Sequence, residues 1–190
     1  MRTAFTIAPF TIPGRTARPL MLAFALTLAS PAFAERPANP PPAAPQPANP
    51  LIDYHGFSAL TAEVAPYRAQ RLLSLAEFSK RRREPHVLLL DARSASAYKA
   101  GHIRGAVNLP FTDFTAASLA EVIGKDANRP ILIYCNNNFR NNVRPVVTKA
   151  LPLALNIPTF INLVGYGYRN VWELGEAVDM NDPAIEWQRG

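Results

Sequence analysis

The chain has 190 residues, with 20 Lys and Arg against 14 Asp and Glu, 48% hydrophobic residues, 19 prolines and one cysteine. This is the composition of one ordinary globular domain with a proline-rich attachment, and it excludes collagen, a coiled coil and a mostly disordered chain. One cysteine cannot form an intrachain disulfide or a Cys-based zinc site, so stability must come from a hydrophobic core. The net charge of +6 overstates the basicity of the folded part: Arg2, Arg15 and Arg18 stand in the first 34 residues, which hold no acid, leaving 17 basic against 14 acidic residues. That excess is too small to indicate a nucleic-acid surface.

Residues 1–34 combine an arginine-bearing start, an apolar run from Leu20 to Ala29, then Ser30-Pro31 and the small-x-small ending Ala32-Phe33-Ala34. The pattern predicts a secretory signal peptide cleaved after Ala34, and hence an exported protein, periplasmic in a bacterium or secreted. A membrane span needs about 20 apolar residues in a row, and Pro31 interrupts this run, so no stable insertion is expected after cleavage. No cysteine near the cleavage point could carry a lipid anchor. Residues 35–50 follow as a Pro-rich disordered linker. Seven prolines between Pro37 and Pro50 remove amide donors and leave nothing to pack, which reads as a semi-rigid polyproline spacer. The folded domain is then 51–190.

Arg71-Leu72-Leu73 is a short strand candidate. Ser74 caps a helix, with Glu77 completing a capping box before the basic run Lys80 to Arg83, expected as a solvated helix end, and Pro85 stops it. Val87 to Leu90 reads as a strand buried on both faces, Ser94 to Ala100 as a helix ended by Gly101, and Val107 to Leu109 as a strand. Thr115 to Ile123 reads as a helix ended by Gly124, and Ile131 to Tyr134 as a second central strand. Val143 to Leu155 is expected to be helical despite Pro145 and Pro152, and Thr159 to Leu163 to be a strand. Asp182-Pro183 and Trp187 suggest a tail that packs down. The alternation predicts an α/β layer fold with its site at the carboxyl ends of the strands.

Cys135 stands at the end of Ile131-Leu132-Ile133-Tyr134 and opens into Asn136-Asn137-Asn138-Phe139-Arg140-Asn141-Asn142. Amide groups of such a strand-loop-helix turn can converge on the sulfur and favour thiolate. The asparagines tolerate a tightly curled backbone, and Arg140 and Arg144 bring fixed positive charge for an anion. The bland alternative is a buried structural thiol, common for cysteine, against which the polar run directly after it argues. No nucleophile elbow of a Ser-His-Asp hydrolase is present. His55, His86 and His102 lack metal-ligand spacing, and no metal is expected.

The segment Leu88-Leu89-Leu90-Asp91-Ala92-Arg93, then Tyr98, then Gly101-His102-Ile103-Arg104-Gly105-Ala106 resembles the rhodanese-like pattern of a strand, Asp-x-Arg and Gly-His-Ile-x-Gly-Ala. The strand ending in Cys135, Asn162-Leu163, the Gly165-Tyr166-Gly167-Tyr168 turn and Trp172 fit the rest, so the resemblance covers about 72–178. It implies a three-layer α/β domain with a central, mostly parallel sheet flanked by helices. It also implies a sulfurtransferase in which Cys135 carries sulfane sulfur as a persulfide. The resemblance gives the backbone of Asn136, Asn137, Asn138, Phe139 and Arg140 the role of stabilising that sulfur, and Arg140 or Arg144 that of receiving an anionic donor such as thiosulfate. Asp91, Arg93 and His102 would be structural supports. The implied partners are a small sulfur-containing anion and a thiol or cyanide acceptor, with room for a protein partner, no nucleic acid and no cofactor.

The sequence departs from the common rhodanese loop, which holds a glycine and returns to helix after about six residues; here the loop runs on through Asn141-Asn142. A phosphatase or arsenate reductase would need arginine six residues after the cysteine, where Asn141 stands. An inactive rhodanese-like module that binds an anion or a partner, and a redox protein forming a mixed disulfide through Cys135, are the competing classes. Gly165 to Tyr168 and Trp172 could wall the cysteine loop or simply form a turn packed on the core.

Overall fold

In a computed structural model of the chain, residues 49–142 and 147–189 are described. The expected leader and nearly all of the spacer lie outside them, as do Val143, Arg144, Pro145 and Val146.

The described chain opens with a helix foreseen by no motif, α1 (Tyr54–Ala69), whose N-cap Asp53 accepts the Gly56 N–H at 2.7 Å. Only one of its faces meets the protein, through Leu60, Val64, Tyr67 and Arg68 at helical spacing. Then come β1 (Leu72–Leu73), α2 (Leu75–Arg81) and β2 (Leu88–Asp91). The Ser74–Glu77 capping box closes α2 as expected, satisfying two amides that the helix cannot. Next are α3 (Ala95–Ala100), β3 (His102–Ile103), β4 (Val107–Asn108), α4 (Ala116–Ile123) and β5 (Ile131–Tyr134). The chain ends in α5 (Asn156–Gly165), β6 (Val171–Leu174) and β7 (Trp187–Gln188).

Five strands form one parallel sheet in the order β1-β6-β5-β2-β4, and β3 pairs antiparallel with β7 at its side. Helices cover both faces, which is why Leu88–Leu90 of β2 and the whole of β5 are apolar without alternation. Ile131 and Ile133 of β5 join the core formed with α1, α4 and α5, around Val64, Leu119 and Phe160. Leu132 and Tyr134 join the opposite core, around Phe78 of α2 and Ile185 of the C-terminal tail. All four β5 side chains are buried, and an apolar side chain fully buried in this way contributes roughly 1.5–3 kcal/mol.

Two expected elements are corrected. Thr159 to Leu163 lies within helix α5, not in a strand. Its β-branched residues suggested extended backbone, but Asn156, Thr159, Phe160, Leu163 and Val164 fall on one buried helical face. Pro158 sits in the first turn of α5, where an N–H would have no helical partner. The strand that the sheet needed is β6, whose Glu173 had hidden it. The described part of Val143–Leu155 is no α-helix either: residues 147–150 are irregular and Leu151–Leu153 make one 3-10 turn, with Pro152 unable to donate.

The basic run at the end of α2 is only partly solvated. Arg81 stacks on Trp172 with its guanidinium 3.9 Å from the ring centre. The Arg82 side chain, 5% exposed, donates to the Ala184 carbonyl at 3.2 Å and pairs with Glu186 at 2.6 Å. The tail packs down as its aromatic and proline content suggested, Trp187 lying 5.0 Å from Phe139 between ring centres.

Candidate functional site

Cys135 follows β5 in extended conformation (φ −145°, ψ −175°), so the strand's alternation carries its side chain to the face of Ile131 and Ile133, the side of α1 and α5. It is buried, at 1% exposure, and lines a cavity of about 290 Å³ with Arg68, Asn137, Leu151, Glu173 and Glu176. Burial pushes the thiol pKa up, and the charge of Glu173 adds to this. The backbone N–H groups of Asn156, Asn137 and Leu155 oppose it by favouring thiolate, without prevailing. Leu155 and Asn156 open α5, so much of the amide cradle comes from a distant helix end. In the loop, the Phe139 N–H is spent on the Asn136 carbonyl at 3.1 Å and that of Arg140 on the Val178 carbonyl at 2.9 Å. These two amides therefore do not join the cradle that the sequence suggested.

The asparagines act mainly through their side chains. Buried Asn138 accepts the Cys135 N–H at 2.9 Å and the Asn156 amide at 3.0 Å, while donating to the Leu174 carbonyl at 2.7 Å and the Glu176 carbonyl at 3.1 Å. It thus ties the cysteine to α5 and to the end of β6. Asn137 holds the Lys149 backbone by two bonds, 2.8 and 3.0 Å. Asn136 accepts from Arg93 at 3.3 Å, and Asn141 bonds Asp179 at 2.8 Å. Phe139 is a buried anchor, edge-on to Tyr134. Arg140 is exposed and its guanidinium donates to the Ala177 carbonyl; it does not line the cysteine cavity. Arg144 lies outside the described residues.

Below the loop, Asp91 and Arg93 form a fully buried ion pair, 0% and 1% exposed, at 2.6 Å. Burial works against the Arg93 charge, but Asp91 more than offsets it and the guanidinium pKa is raised. Arg93 also donates to the Gly101 carbonyl at 2.8 Å, and the Tyr134 hydroxyl donates to Asp91 at 2.6 Å. Burial and then Asp91 hold that phenol well above its ordinary pKa, so it stays a donor. His102 stacks on Tyr98 at 3.7 Å; its Nδ1 lies 2.9 Å from the Tyr98 carbonyl and its Nε2 2.6 Å from the Gln188 amide nitrogen, so both ring nitrogens are engaged. Asp91, Arg93 and His102 are thus each tied to neighbouring elements by hydrogen bonds. Gly165 to Tyr168 form a helix-to-strand turn packed on the core, and Trp172 points to the opposite sheet face; neither walls the cysteine cavity.

Sequence reasoning missed Glu173, Arg68 and Asn156. Glu173, only 4% exposed, is gripped by Arg68 of α1 through two nitrogens, one at 2.7 Å, and receives the Asn156 amide at 3.1 Å. The available signal was one charged residue inside Val171-Trp172-Glu173-Leu174. A second cavity, of about 430 Å³, is lined by Arg93, Ser94, Ser96, Asn136, Thr148 and Lys149. Among the described residues, no group of three or more His, Cys, Asp or Glu side chains could hold a metal ion.

Residues 74–175 match the family model of the rhodanese-like domain. A 67-residue stretch, 35% of this chain, is 39% identical to an HTH-type transcriptional regulator of Mycobacterium tuberculosis; the match spans only 28% of that protein's length. Among solved structures, a rhodanese-like domain from Anabaena sp. is 19% identical with a TM-score of 0.42, covering 63% of this chain and 80% of that one. A polysulfide-sulfur transferase from Wolinella succinogenes is 18% identical (TM-score 0.39, 65% and 80% covered). A single-domain sulfurtransferase from Saccharomyces cerevisiae is 11% identical (TM-score 0.39, 57% and 85% covered).

Proposed function

Because this chain belongs to the rhodanese-like domain family, we propose that it is a sulfurtransferase that carries sulfane sulfur as a persulfide on Cys135. The observation that supports this most is the cysteine at the carboxyl end of central strand β5, facing a cavity, where the backbone N–H groups of Asn156, Asn137 and Leu155 favour its thiolate. Those fixed dipoles need no reorganisation when negative charge develops there. In the reaction, the Cys135 thiolate attacks the outer sulfur of a donor such as thiosulfate. The new S–S bond forms as the donor's S–S bond breaks, and its electron pair leaves with sulfite. Cyanide, or a thiol acting as thiolate, then takes the outer sulfur and returns Cys135 as thiolate. One cysteine suffices because each step exchanges one sulfur bond for another. A thiol held protonated by burial must first lose its proton, so turnover should rise with pH until the thiol is ionised.

The test is intact mass after incubation with thiosulfate. A gain of one sulfur atom, reversed by cyanide and absent in Cys135→Ser, is the expected result. No gain from thiosulfate or from an organic persulfide would refute the carrier reading and leave a binding module. We also propose export: protein recovered from a bacterium expressing the whole chain should have lost residues 1–34, and an intact N-terminus in the cytoplasm would refute this.

A further inference from the structure

The sheet places Glu173 one strand away from Cys135, in the same cavity. In the parallel register of β5 and β6, Ile133 stands opposite Glu173. Cys135, two residues on, shares the face of Ile133. Cysteine and carboxylate are therefore diagonal neighbours on adjacent strands, on the same side of the sheet, and both line the 290 Å³ cavity. A buried carboxylate is costly unless it is paired. This one is paired by Arg68, whose side chain is 28% exposed against 5% for Glu173. The Asn156 amide bridges the two sites, touching Glu173 and also Asn138, which holds the Cys135 N–H. Arg68 belongs to α1, outside the 74–175 segment that matches the family.

We propose that Arg68 and Glu173 are positioning residues that set the reactivity of Cys135, which makes α1 part of the sulfur-handling site. Of the other charged groups nearby, Glu176 lines the cavity, whereas Arg140 and Lys149 do not. The Glu176 carboxylate accepts the Leu75 N–H at 3.0 Å at the start of α2, and the Arg140 guanidinium is on the Ala177 carbonyl. Lys149 meets the loop through its backbone. With Arg68 in place, the charge of Glu173 that Cys135 faces is partly offset. Without it, the Glu173 carboxylate keeps only the Asn156 amide as a partner. The charge then opposes thiolate formation in full.

This deepens the sulfur-carrier reading of Cys135, but its test reads the thiol directly, so either can fail without the other. Alkylation of the purified protein by iodoacetamide, followed by intact mass from pH 6 to 10, gives a midpoint, which reports charge, and a plateau rate, which reports access. Glu173→Gln should lower the midpoint and Arg68→Gln should raise it, each by about half a unit, or roughly threefold in rate at a fixed pH below the midpoint. Arg68→Lys should return it towards wild type. Opposite signs from two partners of one ion pair are what a merely structural role cannot produce. Midpoints that move together, or plateaus that change while midpoints stay fixed, would overturn the proposal. Should Glu173→Gln fail to fold, the Arg68→Gln and Arg68→Lys comparison decides it alone: a midpoint raised by Gln and restored by Lys supports the pair, and equal midpoints refute it.

Discussion

Replacing Arg93 by Met removes the cation of the only ion pair in which both side chains are wholly buried among the described residues. Asp91 is left with the Tyr134 hydroxyl at 2.6 Å and the residue-93 backbone N–H at 3.0 Å. It loses the guanidinium bonds at 2.6, 2.9 and 3.1 Å. Stranding one charge of a buried pair costs about 3–5 kcal/mol. The Gly101 carbonyl and the Asn136 side chain lose donors as well, which places the expected loss toward the upper end. At about 2–4 °C per kcal/mol for a domain of this size, the melting temperature should fall by roughly 10–15 °C. Urea unfolding followed by circular dichroism measures the loss, with Asp91→Leu combined with Arg93→Met as the control. Removing both charges leaves no bare ion, so the double variant should recover at least half of the deficit, short of the roughly 1 kcal/mol lost when Tyr134 gives up its acceptor. A single-variant loss under about 1 kcal/mol, or a double variant no more stable than the single, would refute the assignment of this pair as the floor of the loop.

The buried thiol makes a second prediction, in stability. A cysteine whose pKa is raised on folding holds its proton more tightly in the folded chain. Its contribution is therefore complete below the unfolded thiol's value, about 8.5, and is lost as pH rises towards the folded one. The stability of wild type relative to Cys135→Ser should thus fall between pH 8 and 10, by at most about 1.4 kcal/mol per unit; a constant difference in urea unfolding would contradict it. Gly101→Ala should cost about 1–3 kcal/mol and loosen the β3–β7 pair, because its methyl would stand 2.4 Å from Trp187 Nε1. Near-wild-type stability with an unchanged near-UV spectrum would show that the tail does not press on this turn.

The local signals in this chain are strong where the chain itself satisfies them. Ser74 and Glu77 cap α2 with their own side chains, Gly101 and Gly124 end α3 and α4, and the apolar runs Leu88–Leu90 of β2 and Ile131–Tyr134 of β5 are buried on both faces. For the same reason Cys135 could be placed at a strand end from sequence alone, and the Asp91-Ala92-Arg93 and Gly101-His102-Ile103 segments pointed to the family. What the sequence left open depends on partners far along the chain. Whether Thr159 to Leu163 is strand or helix turns on which side chains find the core, and β-branched residues serve either state. Glu173 looked out of place in a strand until Arg68, 105 residues earlier, was brought against it. The Asn-rich run looked like a source of backbone amides, yet much of the cradle comes from the start of α5, some 20 residues on. Short-range hydrogen bonds and apolar periodicity are written in neighbouring residues, whereas the electrostatic surroundings of a buried thiol belong to whatever the sheet and helices place beside it.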